Sequence, residues 1–143
     1  MAIQVLAVDD DQINRLLLQR VLEARGFAVE TVTTGMEALA ALDRRRPDVI
    51  LLDIMMPGMT GLEVLERVRA NPRLASIPVI LLTAKEGDDD VLTGYRSGAD
   101  YYITKPLVVE QLLAGLALVL GKAKPRTAAE TPSPTPPGRP RSR

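Results

Sequence analysis

Residues 49–61 read V-I-L-L-D-I-M-M-P-G-M-T-G, and the fold turns on this stretch. Val49, Ile50, Leu51 and Leu52 form an unbroken apolar run, the pattern of a strand buried on both faces. The run ends on Asp53 and then breaks at Pro57-Gly58, a strong turn signal. An acid at the carboxyl end of a buried strand, opening into a loop, stands where open α/β sheets bind ligands. By itself such an Asp is ordinary, being polar and turn-compatible, so the rest of the chain decides its meaning.

Working outward, Ile3 to Val8 reads as a first strand, followed by Asp9-Asp10-Asp11. Ile13, Leu16, Leu17, Val21 and Ala24 then fall at helical spacing, with Gly26 as the stop. Ala28 to Val32 is a short strand. Residues 36–46 form a helix with Met36, Leu39 and Leu42 turned inward, ended by Pro47. Beyond the central strand, Leu62, Leu65 and Val68 mark a helix running to Arg69. Val79 to Thr83 is the next strand, introduced by Pro78. Asp88-Asp89-Asp90 suits a helix amino terminus, and a helix with Val91, Leu92 and Tyr95 runs to Gly98. Tyr101 to Thr104 is the last strand, Lys105-Pro106 a turn, and Leu107 to Leu120 the last helix.

Five strands alternating with five helices predict an α/β fold with a doubly wound, five-stranded parallel sheet. Right-handed crossovers place every strand's carboxyl end on one edge. Asp9, Asp10, Asp53, Thr83 and Lys105 are therefore expected together at one rim.

Composition narrows the chemistry. The chain has 143 residues, enough for one domain, and no Cys, which removes disulfides, thiolate metal sites and cysteine nucleophiles. It has no His, which removes imidazole ligands, His-based triads and any phosphohistidine of its own. No stretch reaches the ~18 apolar residues of a membrane span, and the amino terminus lacks a basic, signal-like opening. The expected location is the cytoplasm, with no membrane partner.

Net charge is zero, but unevenly spread. Residues 122–143 hold six Lys/Arg, six Pro and one acid, whereas residues 1–121 hold 12 basic and 17 acidic residues. The expected organisation is a domain over 1–121 and a Pro-rich, basic, disordered tail or linker over 122–143. The tail matches no nucleic-acid-binding motif, so nucleic acid is not indicated. In the last helix, Leu116, Leu118, Val119 and Leu120 cannot all face the sheet. An apolar outer face there would suit a partner, including a homodimer through the last helix.

At the rim, carboxylates about 4 Å apart repel by about 4 kcal/mol at a surface-like dielectric. Such a cluster takes up protons or binds a cation. With oxygen ligands alone, Mg²⁺ or Mn²⁺ is the natural choice. Asp11 suits the N-cap of the first helix, which explains one acid of the triplet and not three. A carboxylate, a divalent cation, a hydroxyl and a lysine ammonium around one point make a phosphoryl-transfer site, with the carboxylate able to form aspartyl-phosphate.

These markers resemble the receiver domain of response regulators of two-component signalling, a CheY-like family. The resemblance covers residues 3 to about 120: Asp9-Asp10, D-I-M-M-P-G-M-T-G from Asp53, Thr83-Ala84 and Lys105-Pro106, in order. It implies a flavodoxin-like sheet of order 2-1-3-4-5. It also implies that Asp53 is the phosphoacceptor, taking its phosphoryl group from a sensor histidine kinase or a histidine phosphotransfer protein. Asp9 and Asp10 would hold Mg²⁺ with Asp53 and the backbone carbonyl of Met55. Thr83, Lys105 and the N–H of Ala84 would grip the phosphoryl oxygens. Lys105-Pro106 would be cis, Tyr102 would be an aromatic switch coupled to Thr83, and Met55 and Lys85 would tune dephosphorylation. Such a domain is regulatory rather than an enzyme, though it catalyses its own phosphorylation and dephosphorylation.

Three outputs are consistent with the sequence. Phosphorylation switches the face made by the helix through Val91, the last strand and the last helix, which controls a partner or dimerisation. Alternatively the chain is a phosphorelay intermediate, or the receiver part of a longer regulator with 122–143 as linker. A different alternative is a haloacid-dehalogenase-type phosphatase attacking with Asp9, but it leaves the Met-Met-Pro-Gly loop unexplained.

Overall fold

The computed structural model describes residues 2–84 and 98–121. The helix expected through Val91, Leu92 and Tyr95, the position of Lys85 and the tail 122–143 lie outside the described residues.

The strands are β1 (Gln4–Val8), β2 (Ala28–Val32), β3 (Val49–Asp53), β4 (Val79–Thr83) and β5 (Tyr101–Thr104). They form one parallel sheet in the order β2-β1-β3-β4-β5. The described helices are α1 (Gln12–Glu23), α2 (Gly35–Arg44), α3 (Gly61–Ala70) and α4 (Val109–Gly121). Every residue of β3 and β4 is buried, as two-sided coverage of a parallel sheet requires. On one face the core joins Ile50, Leu52 and Leu81 to Ala38, Leu42, Val64, Leu65 and Val68 of α2 and α3. On the other, Leu51, Ile80 and Leu82 meet Leu18 and Leu22 of α1 and Leu112, Leu116 and Val119 of α4.

The helix faces differ from the sequence expectation. In α1 the buried residues are Leu18 and Leu22, while Ile13 is 75% exposed and Leu16 half exposed. A leucine-rich helix offers two stripes at i, i+4 spacing. Asp11 caps α1 by accepting from the Ile13 N–H at 2.9 Å, which fixes where the helix starts, and the stripe that packs on the sheet is Leu18/Leu22. In α2, Leu42 is buried and Leu39 packs partly buried on the core as expected, joined by Gly35, Ala38 and Ala41, but Met36 is 65% exposed. The close approach of α2 to α3 selects small residues: a Cβ on Gly35 would lie 2.9 Å from Met59 Cβ and from Val64 Cγ2. In α4, Gln111, Ala114 and Ala117 face outward, and Leu113, Leu118 and Leu120 are half covered, so the large leucines do not form an open apolar face.

Candidate functional site

Strand register builds the site. Val8 pairs with Leu52, Asp53 with Leu82, and Thr83 with Thr104. Asp9, Asp53, Thr83 and Lys105 thus end four adjacent strands at one rim. Asp9, Asp53 and Thr83 are buried there at 0%, 2% and 1% exposure, while Asp10 turns to solvent.

Lys105 bridges the carboxylates: its Nζ lies 3.0 Å from Asp9 Oδ2 and 3.3 Å from Asp53 Oδ2. Carboxylate oxygens of Asp9, Asp10 and Asp53 all fall within 4.8 Å of one another. Asp9 Oδ1 accepts from the Asp11 N–H at 2.9 Å, and Asp53 Oδ1 from the Met55 N–H at 3.2 Å. Asp9 Oδ2 is ion-paired to Lys105 but receives no well-angled hydrogen bond from any described residue. Burial, with the Asp9 charge adding to it, pushes the Asp53 carboxyl up to about 7 against the pull of Lys105. Burial alone would lower Lys105, but the two carboxylates outweigh it and hold its ammonium above the ordinary lysine value.

This arrangement fits a divalent cation. Two buried carboxylates share one ammonium with a third carboxylate beside them, an acceptor atom is left short of donors, and all ligands on offer are oxygens, as Mg²⁺ or Mn²⁺ prefers.

The remaining predicted residues are also placed. Lys105-Pro106 is cis, and the Lys105 N–H donates to the Thr83 carbonyl at 2.7 Å. Met55, two residues after Asp53, is 60% exposed, and Ala84 is exposed next to Thr83. Tyr102 is buried among the α2/α3 core residues, whereas Tyr101 lies on the opposite face.

Two contributors escaped the sequence reading. Gly61 opens α3 against the end of β3, its N–H donating to the Ile54 carbonyl at 2.9 Å. A Cβ there would strike the Asp53 carbonyl oxygen, so the loop over the pocket closes only on glycine. The capping box of Thr60 and Glu63 that starts α3 at Gly61 was visible as T-x-x-E. The second is Arg15, whose Nη1 donates to the Asp9 carbonyl at 2.8 Å; no motif announces it.

Residues 5–117 match the response regulator receiver domain family. Over 128 residues the chain is 41% identical to the response regulator MprA of Mycobacterium leprae (strain TN), covering 90% of this chain and 55% of that protein. It is 38% identical over 122 residues to the phosphate regulon transcriptional regulatory protein PhoB of Rhizobium meliloti (strain 1021), covering 85% of this chain and 54% of PhoB. The chain therefore spans about half the length of these relatives. Among solved structures, the chemotaxis protein CheY4 of Vibrio cholerae superposes with a TM-score of 0.80 at 36% identity, covering 83% of this chain and 99% of CheY4. The signal receiver domain of a signal transduction histidine kinase from Syntrophus aciditrophicus does so with a TM-score of 0.80 at 36% identity, covering 92% of this chain and 99% of that domain.

Proposed function

The chain belongs to the response regulator receiver domain family, a regulatory domain of phosphorelay signalling, and from that premise we propose that Asp53 is its phosphoacceptor. The observation that carries the reading is the burial of Asp53 between Lys105 and the Asp9-Asp10 pair. The proposed donor is a phosphohistidine of a sensor histidine kinase or histidine phosphotransfer protein; the sequence itself contains no His to carry one. An Asp53 carboxylate oxygen forms a bond to phosphorus as the P–N bond breaks, and the imidazole departs with that electron pair.

Asp9, Asp10, Asp53 and the Met55 carbonyl hold Mg²⁺, with Mn²⁺ as a substitute. When bound, the cation supplies positive charge that favours the ionised Asp53 and offsets charge on the phosphoryl oxygens. Lys105 turns its ammonium from Asp53 to a phosphoryl oxygen, and the Thr83 hydroxyl and Ala84 N–H donate to others. The movement of Thr83 is passed to the buried Tyr102 ring on the adjoining strand, which alters the face made by the segment between β4 and β5, β5 itself and α4. That surface controls a partner or a second copy. Self-catalysed phosphorylation and dephosphorylation follow from the same residues. We assign residues 1–121 to the receiver and 122–143 to a tail or linker, and place the protein in the cytoplasm. No described helix is long and apolar enough to cross a membrane.

The test is exposure to a small phosphodonor with and without Mg²⁺, on the wild type and Asp53→Asn, read by intact mass. One Mg²⁺-dependent phosphoryl group, absent in the mutant, is expected. A mutant that still gains it, with Asp9→Asn inert, would return the chemistry to Asp9 and overturn the reading.

A further inference from the structure

Arg15 stands on α1 but reaches back six residues to the end of β1. Its Nη1 donates to the Asp9 carbonyl at 2.8 Å in a partly buried setting. The Asp9 N–H donates to the Val32 carbonyl at 3.1 Å, so β2 holds one side of Asp9 and Arg15 holds the other. The carbonyl that Arg15 holds belongs to the peptide joining Asp9 to Asp10. Its orientation sets the direction in which the Asp10 side chain leaves the backbone. Among the described residues nothing hydrogen-bonds the Asp10 carboxylate, and none lies at ion-pair distance from Arg15, so this peptide plane is what aims Asp10.

We infer that Arg15 is a positioning residue for the cation site: its guanidinium fixes the Asp9-Asp10 peptide so that both carboxylates converge with Asp53 on one point. This rests on the reading above, in which those three acids hold a divalent cation. Groups that orient ligands from behind commonly govern metal affinity nearly as much as the ligands do. A second property of Arg15 works in the opposite sense. As a positive charge beside an acidic site it repels a cation, so a role through charge alone would make its removal tighten binding. The sign of the effect therefore separates the two.

The experiment follows Mn²⁺ binding by its paramagnetic resonance, and Mg²⁺ by competition, on the full chain, Arg15→Leu and Arg15→Lys. Metal-free melting curves establish that each variant folds. Arg15→Leu is expected to weaken binding about tenfold. Arg15→Lys keeps the charge and an N–H donor and should lose less. Phosphorylation of Arg15→Leu should approach the wild-type rate once the cation saturates, so that the loss appears in the half-saturating concentration. Unchanged or tighter binding in Arg15→Leu, or a deficit that saturation does not repair, would overturn the inference. A wild type that binds no cation would instead overturn the cation reading on which it rests.

Discussion

The sheet carries a meeting of cation and carboxylate at each end, partly buried at the base and buried at the rim, and the two follow opposite rules. At the base, Arg69 spends five hydrogen bonds: two on the Gly98 carbonyl, one each on those of Ala75 and Ile77, and one on Asp100. Asp100 in turn accepts from the Val79 N–H at 2.8 Å. The cluster ties the end of α3 to the entries of β4 and β5 and leaves little unpaired. At the rim one ammonium serves two buried carboxylates with a third beside them, and a buried oxygen lacks a proper donor. A saturated guanidinium makes a staple. An under-supplied set of carboxylates makes a site, because its deficit is what an incoming cation or phosphoryl group supplies.

The largest expected effect breaks the staple. Arg69→Ala strands Asp100 and three backbone carbonyls, and should cost about 3 kcal/mol of unfolding free energy in urea. Cation binding by the folded protein should survive, since the rim is at the other end of the strands. A loss below about 1 kcal/mol would mean that the base cluster is no more structural than a surface pair.

Next in size is a substitution at the rim that should stabilise. In the cation-free protein the Asp53 carboxyl is pushed up to about 7 from an ordinary 3.8. Between those values the folded state keeps a proton that the unfolded chain has lost, so stability falls as pH rises from about 4 to about 7 and then levels off. At ~1.4 kcal/mol per unit the ceiling is about 4 kcal/mol. Asp53→Asn removes that burden but also the ion pair to Lys105, so a net gain of about 1–2 kcal/mol at pH 8 is expected without Mg²⁺. The mutant's profile should also be flatter across that pH window. A destabilised Asp53→Asn would show that the rim, like the base, is held together by its charges.

The same contrast explains what the sequence made legible. The rim was readable because its residues end strands, and the parallel direction that puts those ends on one edge follows from the alternation of elements, while the strand order came from the family resemblance. Asp9, Asp53, Thr83 and Lys105 needed only that rule to be brought together. Arg69 and Asp100 were not readable, since apart from each other their partners are backbone groups, which carry no side-chain signature. Arg15 was hidden for the same reason. The buried face of α1 was read only in part because Leu16, Leu17, Leu18, Val21 and Leu22 support more than one stripe, whereas in α2 Leu39 and Leu42 turn inward as expected and Met36 does not. In α2, tight packing against α3 favoured alanines over Met36. Which face turns inward in α2 depends on how close its neighbour lies, and hydrophobicity alone does not give that distance.

The smallest expected effect calibrates the other two. Arg44 and Glu30 form an ion pair at 3.1 Å, with side chains 62% and 43% exposed. It is chemically the same pairing as Arg69 with Asp100, a guanidinium and a carboxylate at about hydrogen-bond distance, but water replaces the backbone carbonyls around it. Screening and the loss of side-chain freedom should reduce its worth to about 0.3 kcal/mol in a double-mutant cycle of Arg44→Ala and Glu30→Ala, fading further in high salt. Because the chemistry is held constant while the surroundings change, the ratio of this coupling to the Arg69→Ala loss measures what burial and saturation add. A coupling above about 1 kcal/mol would place the difference between the two ends of the sheet in the charges themselves rather than in how completely their hydrogen bonds are met.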